Sequence, residues 1–453
     1  MTDPRSLRSR EPERAPPTAQ PAEACLTLVA RDGLFLKDGR GWYTSDVGRS
    51  HARAWPLPPT VRGALRAAYG HHLMARGVPR FRRDDWEPRT REVQLRQVLT
   101  VRRPMIDGVD EFALAHRLWP TPHDAAIDEG GAVVQLIPSP APIGSGLDLD
   151  EVDEKGETDG FDKRGGDGGD GSLHETAVDR DRAAFQRLWR VRPESGRKPG
   201  PRPRFWTEAA MCAWLAGAGV GDESAGGFGR DPVQRADIHV TITPGTDAAT
   251  PSMMFWSQVT EPIDADGHEW ALAVRCGLPG DPEAGGFPSG PIGLGGRRRQ
   301  VWAEPVDEAL FAMPAGLAER MAGSRGLRLL CVTPGLFARG WLPDGFDAGP
   351  DGYVGRLSGI GAELCLRAAI VPRPLHLSTW DTVARAPRAT LRLVAPGSVY
   401  FFTKRDGGEF TAREYQTLWL SAVGGGVGDG LGLVVPGRWD APTESASSEE
   451  ASC

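Results

Sequence analysis

The chain has 453 residues, 40% of them hydrophobic, and a formal net charge of −7. That length accommodates two or three domains of about 100–200 residues each around a sizeable core. No run of about 18 apolar residues occurs, which excludes a membrane-spanning helix. The six cysteines (Cys25, Cys212, Cys276, Cys331, Cys365, Cys453) form no C-x-x-C pair. They argue against a zinc site or disulfide framework and predict a reducing, cytoplasmic setting. The first residues carry arginines without the apolar stretch of a signal peptide.

The charge is unevenly placed. Leu147–Asp170 holds ten acidic and three basic residues, which accounts for the whole −7 and leaves fifty of each sign elsewhere. Charge must therefore be judged by region. Only five of the 53 basic residues are lysine. Arginine suits bidentate phosphate contact and stacking on bases, although codon bias in a GC-rich genome produces the same preference.

Residues 1–23 are rich in Pro, Arg, Glu and Ala, the composition of a disordered tail. Ala24–Ala30 is a short apolar strand, followed by a loop through Gly39–Gly41. In Pro56–Arg66 the prolines fix an extended approach, and Thr60 is a suitable N-cap for a helix starting at Val61. Val61, Ala64, Leu65 and Ala68 then share one face, with Arg62, Arg66 and Tyr69 off it. Gly63 costs roughly 1 kcal/mol of helix propensity, which makes sense where a backbone or ligand must come close. A helix start flanked by arginines is a natural phosphate site; the plain alternative is an ordinary capped surface helix.

Arg76–Arg103 carries nine arginines against four acids, with Phe81 and Trp86 among them. That mixture fits a single-strand groove, or equally a solvated loop. Val93–Val101 and Glu111–Arg117 alternate as strands, and Ala132–Pro138 is a further apolar strand. Ile143–Asp181 is a Gly/Asp/Glu-rich stretch expected to form a flexible acidic loop. Phe205–Ala216 reads as a helix capped by Thr207, with Met211, Trp214 and Leu215 facing inward.

Val233–Thr243 is a strand on which His239 faces opposite to Ile238 and Val240. No carboxylate or nucleophile is fixed by spacing beside it, so a structural or ligand-contacting histidine is expected rather than a catalytic base. His268–Gly277 is another strand. The dense glycines of 285–296 end in Arg297-Arg298-Arg299, which suits close approach to phosphates or simply a turn in water. Met313–Met321 and Thr411–Leu420 read as helices. Leu327–Thr333, Gly361–Val371 and Val394–Phe402 read as strands. The loop Gly424, Gly425, Gly426, Gly428, Gly430 and Gly432 runs into Leu433–Pro436. It lacks G-K-[ST], so it is no P-loop, and it follows a helix rather than a first strand, so it is no dinucleotide fingerprint. Residues 440–453 form an acidic, Ser-rich tail.

Several of these stretches, in this order, resemble the CRISPR-associated RAMP proteins. The similarity is greatest to the family supplying the third subunit of the Cmr (type III-B) effector complex. The pattern F-x-x-D-G-R (Phe35–Arg40) precedes P-x-P-P-T-x-x-G-A-x-R (Pro56–Arg66). Trp119–Asp124 follows with Trp119 in place of phenylalanine, then Trp214–Gly217, then R-x-x-I-H-V-x-I-x-P-x-T (Arg235–Thr246). L-G-G-x-x-R-x-V (Leu294–Val301), T-P-x-x-F (Thr333–Phe337) and G-W-x-P (Gly340–Pro343) come next. Ser378–Asp381 departs from S-G-W-D at Thr379, and V-x-x-G-S-V-Y-F-F (Val394–Phe402) and the terminal glycine loop close the series.

The resemblance implies an α+β class with two ferredoxin-like (RRM-like) domains. The expected boundaries are 24–290, containing the 143–181 insertion, and 291–439, with tails outside them. It implies a non-catalytic subunit without cofactor or metal. Its partners would be CRISPR RNA, the large polymerase-like subunit and the backbone RAMP subunits, with no membrane involved. Such a subunit holds the 5′ repeat-derived tag, while base pairing reads the target. On that view Arg62, Gly63 and Arg66 lie near phosphates, and Arg235 and His239 near the tag. Gly295, Gly296, Arg297, Arg298 and Arg299 form a clamp loop. Two rivals stay open: a RAMP-type endoribonuclease using His51, His71 or His72, and a scaffold binding protein alone, for which the 14 tryptophans would supply anchors.

Overall fold

The computed structural model describes residues 23–37, 48–50, 52–77, 86–106, 109–142, 177–191, 198–220, 228–279, 286–381 and 386–442. Residues 1–22 and 443–453 of the expected tails, most of the acidic stretch, Arg40 with the Gly39–Gly41 loop, His51 and Phe81 lie outside those residues, whereas Glu23, placed in the tail by the sequence, opens the first strand.

Glu23–Ala30 begins the first sheet. Its last five side chains are all buried, the signature of a strand covered on both faces rather than one face. It pairs antiparallel with His268–Gly277 on one side and Gln300–Pro305 on the other. The eight strands run in the order Gly229–Arg230, Phe205–Thr207, Arg117–Pro120, Gln94–Pro104, His268–Gly277, Glu23–Ala30, Gln300–Pro305, Gly290–Gly293. The second sheet has seven: Phe346–Gly349, Gly352–Gly355, Leu364–Ile370, Val399–Lys404, Gly326–Cys331, Leu433–Trp439, Ser421–Ala422. Every pairing in these two sheets is antiparallel. The architecture is mixed α and β, mostly antiparallel, with few helices.

Four adjacent strands of each sheet, Gln94–Pro104, His268–Gly277, Glu23–Ala30 and Gln300–Pro305 in the first and Leu364–Ile370, Val399–Lys404, Gly326–Cys331 and Leu433–Trp439 in the second, follow one spatial order: second, third, first, fourth in the chain. Among the described residues each sheet keeps one helical crossover. In the first it is Pro58–Ala75, between the first and second of those strands; in the second it is Ala412–Leu418, between the third and fourth. The strands Gly290–Gly293 and Gln300–Pro305 belong to the first sheet. The division expected at residue 290 therefore falls after Pro305 in strand membership. Sequence spacing could not show this, because which sheet the hairpin joins is set by its long-range pairing with Glu23–Ala30.

Local corrections have physical reasons. The first helix starts at Pro58, with Leu57 as N-cap, so Thr60 lies in its first turn. Proline is suited to that position because its missing N–H would be unpaired there anyway. The expected apolar stripe is intact: Val61, Ala64, Leu65 and Ala68 are all buried. Glu111–Arg117 is no strand; a 3₁₀ turn, Leu114–His116, leads into the strand Arg117–Pro120. The helix expected over Met313–Met321 is confined to Leu317–Met321, since Pro314 and Gly316 precede it. Thr207 takes the N-cap place of Glu208–Leu215 without a side-chain bond, whereas Thr411 and Glu414 form a capping box on Ala412–Leu418.

One hydrophobic cluster runs through both sheets. The helix Glu208–Leu215 lies where they meet: it packs on Arg117–Pro120 and Phe205–Thr207 of the first sheet and on Leu433–Trp439 of the second. An added Cβ at Gly437 would sit 3.1 Å from Leu215. Polar bonds reinforce this junction. Arg328 of the second sheet donates to Asp124 at 2.7 Å, and Asp124 also accepts from the indole of Trp214 at 3.0 Å. Arg117 and Trp119 both donate to buried Glu208.

Candidate nucleic-acid interface

The proline-led helix and the terminal glycine loop meet. Leu95 N–H donates to Gly428 O at 2.9 Å, and Gly430, at φ +75°, packs where a Cβ would reach Leu95 at 2.8 Å. Gly432, at φ +73°, leaves only 2.0 Å between a would-be Cβ and Val423 O. Both positions demand glycine for conformation and for space. Arg62 clamps the assembly: it donates to Asp429 at 2.5 Å, to Val93 O at 2.9 Å and to Arg91 O at 2.7 Å. Arg66 donates to Glu87 at 2.8 Å and to Thr90 O at 3.2 Å. The guanidiniums expected near phosphates thus hold the helix to its neighbours. Gly63 is exposed, and a Cβ there would meet nothing within 4 Å; no backbone among the described residues explains it.

Gly295–Arg299 forms the tip of the hairpin between Gly290–Gly293 and Gln300–Pro305. Arg299 N–H donates to Gly296 O at 3.3 Å, and Arg297 and Arg298 stand at φ +57° and +56°. Two successive left-handed residues make this a type I′ turn, which Gly, Asn and Asp normally occupy. Each arginine there stores roughly 1–2 kcal/mol of strain. Gly295 and Gly296 let the tip close on Phe35, where added Cβ atoms would reach Phe35 O at 2.6 Å and the Phe35 ring at 2.8 Å. The Arg297 guanidinium lies 4.7 Å from the centre of that ring. It also donates to His239 Nε2 at 2.5 Å and to Ser257 Oγ at 3.1 Å. Arg299 pairs with Asp32 at 3.0 Å. Arg298 is exposed and its side chain has no partner among the described residues.

This brings His239 and Arg297 together from opposite ends of the motif series. Because an arginine can only donate, His239 Nε2 is the acceptor in this contact. The Nε2 lone pair of His239 is thus engaged by the Arg297 guanidinium. Its strand, Gln234–Ile242, pairs with Ala249–Thr260, and Ile238 and Val240 do face opposite to His239. They are the solvent-facing row, 71% and 50% exposed. Arg235, farther along, pairs with Glu261 at 2.5 Å and Asp237 at 2.6 Å, which raise its pKa. Of the histidines considered for catalysis, His71 packs edge-on against Trp86 and His72 sits in the last helical turn. Asp264, Asp266 and His268 approach within 4.8 Å of one another, but Arg102 already donates to both carboxylates, so a cation is in place.

Sequence reasoning missed a cleft of about 580 Å³ at the junction of the sheets. The segment Ala52–Pro58, the turn around His123, Arg202–Phe205, Thr333–Pro334 and Ala395–Pro396 all border it. Trp55 packs edge-on against Phe205 and Trp270, with ring centres 6.2 and 5.4 Å away. Its indole N–H is buried without an acceptor among the described residues. Arg202 donates to the carbonyls of Ala125, Thr121 and Pro122. Arg204 donates its main-chain N–H to Asp231 at 2.9 Å, and its guanidinium has no partner among the described residues. Burial, with Arg202 beside it, pushes His123 down to about 4. The motifs Pro56–Arg66, Trp119–Asp124, Thr333–Phe337 and Val394–Phe402 each touch this cleft, and their convergence was the available signal.

A family described as CRISPR-associated protein (Cas_Cmr3) matches residues 26–439. No curated protein matches the chain. Among solved structures, a chain of the type III-B Cmr-beta complex bound to cognate target RNA and AMPPnP is similar at 10% identity. That similarity covers 83% of this chain and 86% of that one, with a TM-score of 0.37. A chain of the Csm3–Csm4 subcomplex of the type III-A CRISPR-Cas interference complex is similar at 7% identity. There the coverage is 92% of this chain and 100% of that one, with a TM-score of 0.32.

Proposed function

The chain belongs to the Cas_Cmr3 family of CRISPR-associated proteins, and from that premise we propose that it is a non-catalytic, RNA-binding subunit of a type III-B effector complex. It binds the 5′ repeat-derived tag of the CRISPR RNA and docks to the large polymerase-like subunit and the backbone subunits. Its two sheets act as ferredoxin-like units, each retaining one crossover helix.

The observation that carries this reading is the hairpin tip. Arg297 and Arg298 occupy two left-handed positions where glycine would be more stable. Strain of this kind persists where a side chain is needed. Arg297 is fixed by Phe35, His239 and Ser257, while Arg298 projects into solvent as a free cation suited to a phosphate. His239 and Gly295–Arg299 form the contact surface, with Arg235 at its flank. Arg62, Gly63, Arg66 and the glycine loop set the helix start beneath the strand path.

Arg298→Gly separates function from stability. Unfolding free energy is expected to rise by about 1 kcal/mol as the left-handed strain is relieved. Affinity for tagged RNA is expected to fall, and the slope of log K against log salt to shrink by about one. Unchanged affinity and slope would remove the tip from the interface. A chain that assembles with partner proteins yet shows no salt-dependent RNA binding would be a scaffold instead.

A further inference from the structure

We propose that the junction cleft takes one unstacked nucleotide of a single RNA strand, its base against the Trp55–Phe205 wall and its phosphate at Arg202 and Arg204. The proposal rests on the RNA-binding reading and adds a place where the strand is gripped base by base.

Size comes first. A cleft of about 580 Å³ falls within the range of sites that enclose a small organic molecule, and one nucleotide is such a molecule.

Charge comes second. The three bonds of Arg202 go to main-chain carbonyls, not to a carboxylate. The acid that acts on its charge, Asp124, is already engaged with Arg328 and Trp214. The carbonyls orient the guanidinium without pairing it directly with an acid, the preorganised state that a phosphate completes. Arg204 adds a second cation two residues on.

Chemical mixture comes third. Val98, Leu99, Leu118, Phe205 and Leu272 supply an apolar side, and Trp55 adds a buried N–H without an acceptor among the described residues. An apolar aromatic wall beside two guanidiniums matches a molecule that is flat and apolar at one end and anionic at the other. Proteins that read single strands combine these two features. An acidic peptide would use the guanidiniums and leave the aromatic wall idle. His123, uncharged at neutral pH, can offer a ring nitrogen to a base edge without adding charge.

The test uses the full chain and a set of 12-nucleotide single-stranded RNAs, each carrying 2-aminopurine at one position. Anisotropy reports binding and 2-aminopurine emission reports the surroundings of that base. Emission is expected to change sharply at one position, where the base leaves its stack for the aromatic wall. Arg204→Glu is expected to abolish that change and weaken binding by about tenfold. The Arg204 side chain is exposed and bonds to nothing among the described residues, so this variant keeps the fold, and an unaltered unfolding curve checks it. Arg298→Gly is expected to weaken binding while leaving the positional signal intact at saturation. RNA binding with no position-specific change, or with a change that Arg204→Glu does not touch, overturns the cleft and spares the functional reading. An acidic peptide that displaces the RNA at equal affinity also overturns it. Absence of RNA binding in every oligomer overturns the functional reading itself.

Discussion

Asp124 and Arg328 meet with side chains only 1% and 2% exposed, and what they do follows from that number. A buried charge is tolerable only with its partner in place. Asp124→Asn leaves the Arg328 guanidinium buried opposite a neutral amide. The expected loss is about 3–5 kcal/mol of unfolding free energy, read by urea denaturation. The double variant Asp124→Leu, Arg328→Met, which removes both charges, should recover much of it. A loss below about 1 kcal/mol in Asp124→Asn, within the range of a surface pair, would mean that water reaches the site. The neighbouring residue reports in a different way. His123 is held near 4 by burial and by Arg202, below the usual histidine value. Between those two values the unfolded chain binds a proton that the folded chain refuses. Stability is therefore complete above about pH 6.5 and declines as pH falls toward 4, by up to about 1.4 kcal/mol per unit. His116, lowered by burial and by Arg103 and His268, adds in the same direction. His123→Gln should flatten part of that acid limb in a series of melting curves at different pH, and an unchanged limb would assign it elsewhere.

At the scale of elements, the first helix shows what a sequence displays and what it hides. Its apolar spacing placed Val61, Ala64, Leu65 and Ala68 inside, and they are inside, because periodicity is a local property of the chain. Its start was misplaced from Pro58 to Val61, because Thr60 is a good cap and proline a good first residue, and spacing does not rank the two. The roles of Arg62 and Arg66 were out of reach for a different reason. Asp429, which pairs with Arg62, lies 367 residues away, and no local pattern announces that contact. The same limit hid the junction cleft: its turns were each legible as motifs, but only the fold brings them together. Strands with buried runs, such as Glu23–Ala30 and Gly326–Cys331, were legible, and so was a turn at Gly295, but not which sheet its hairpin joins. Gly63 gives this scale its own test. A Cβ there meets nothing within 4 Å, so Gly63→Ala should stabilise the bare chain by up to about 1 kcal/mol. If the variant is more stable but binds RNA less well, the glycine serves a ligand at the helix start. If binding is unaltered, that surface lies off the RNA path.

For the molecule as a whole, the question is whether two sheets make two folding units. Each has the strand order of a self-contained domain, and separate domains commonly unfold in separate steps. The contacts across the junction argue otherwise. The hydrophobic cluster is shared, so parting the sheets would expose core rather than interface. Trp119 of the first sheet meets Trp419, which precedes the last strand of the second, with ring centres 5.4 Å apart. Arg117 reaches the carbonyls of Leu310 and Ala312, in the passage between sheets, at 3.3 and 2.7 Å. Gln97 donates to Leu420 O at 3.2 Å, and His123 N–H to Gly397 O at 2.8 Å. Separation would strand these buried donors and acceptors, at about 1–3 kcal/mol for each left unmade. The described chain should therefore unfold as one cooperative body, with calorimetric and van't Hoff enthalpies equal and with tryptophan fluorescence and far-UV dichroism tracing one curve. Asp124→Asn sharpens the test, because its two outcomes differ in kind. In a single unit the whole transition shifts to lower denaturant with its slope unchanged. In two units the transition splits, with one sheet melting early while the other holds. A split would mean that the sheets move apart at modest cost, and a cleft lined from both sides could then open to admit its strand.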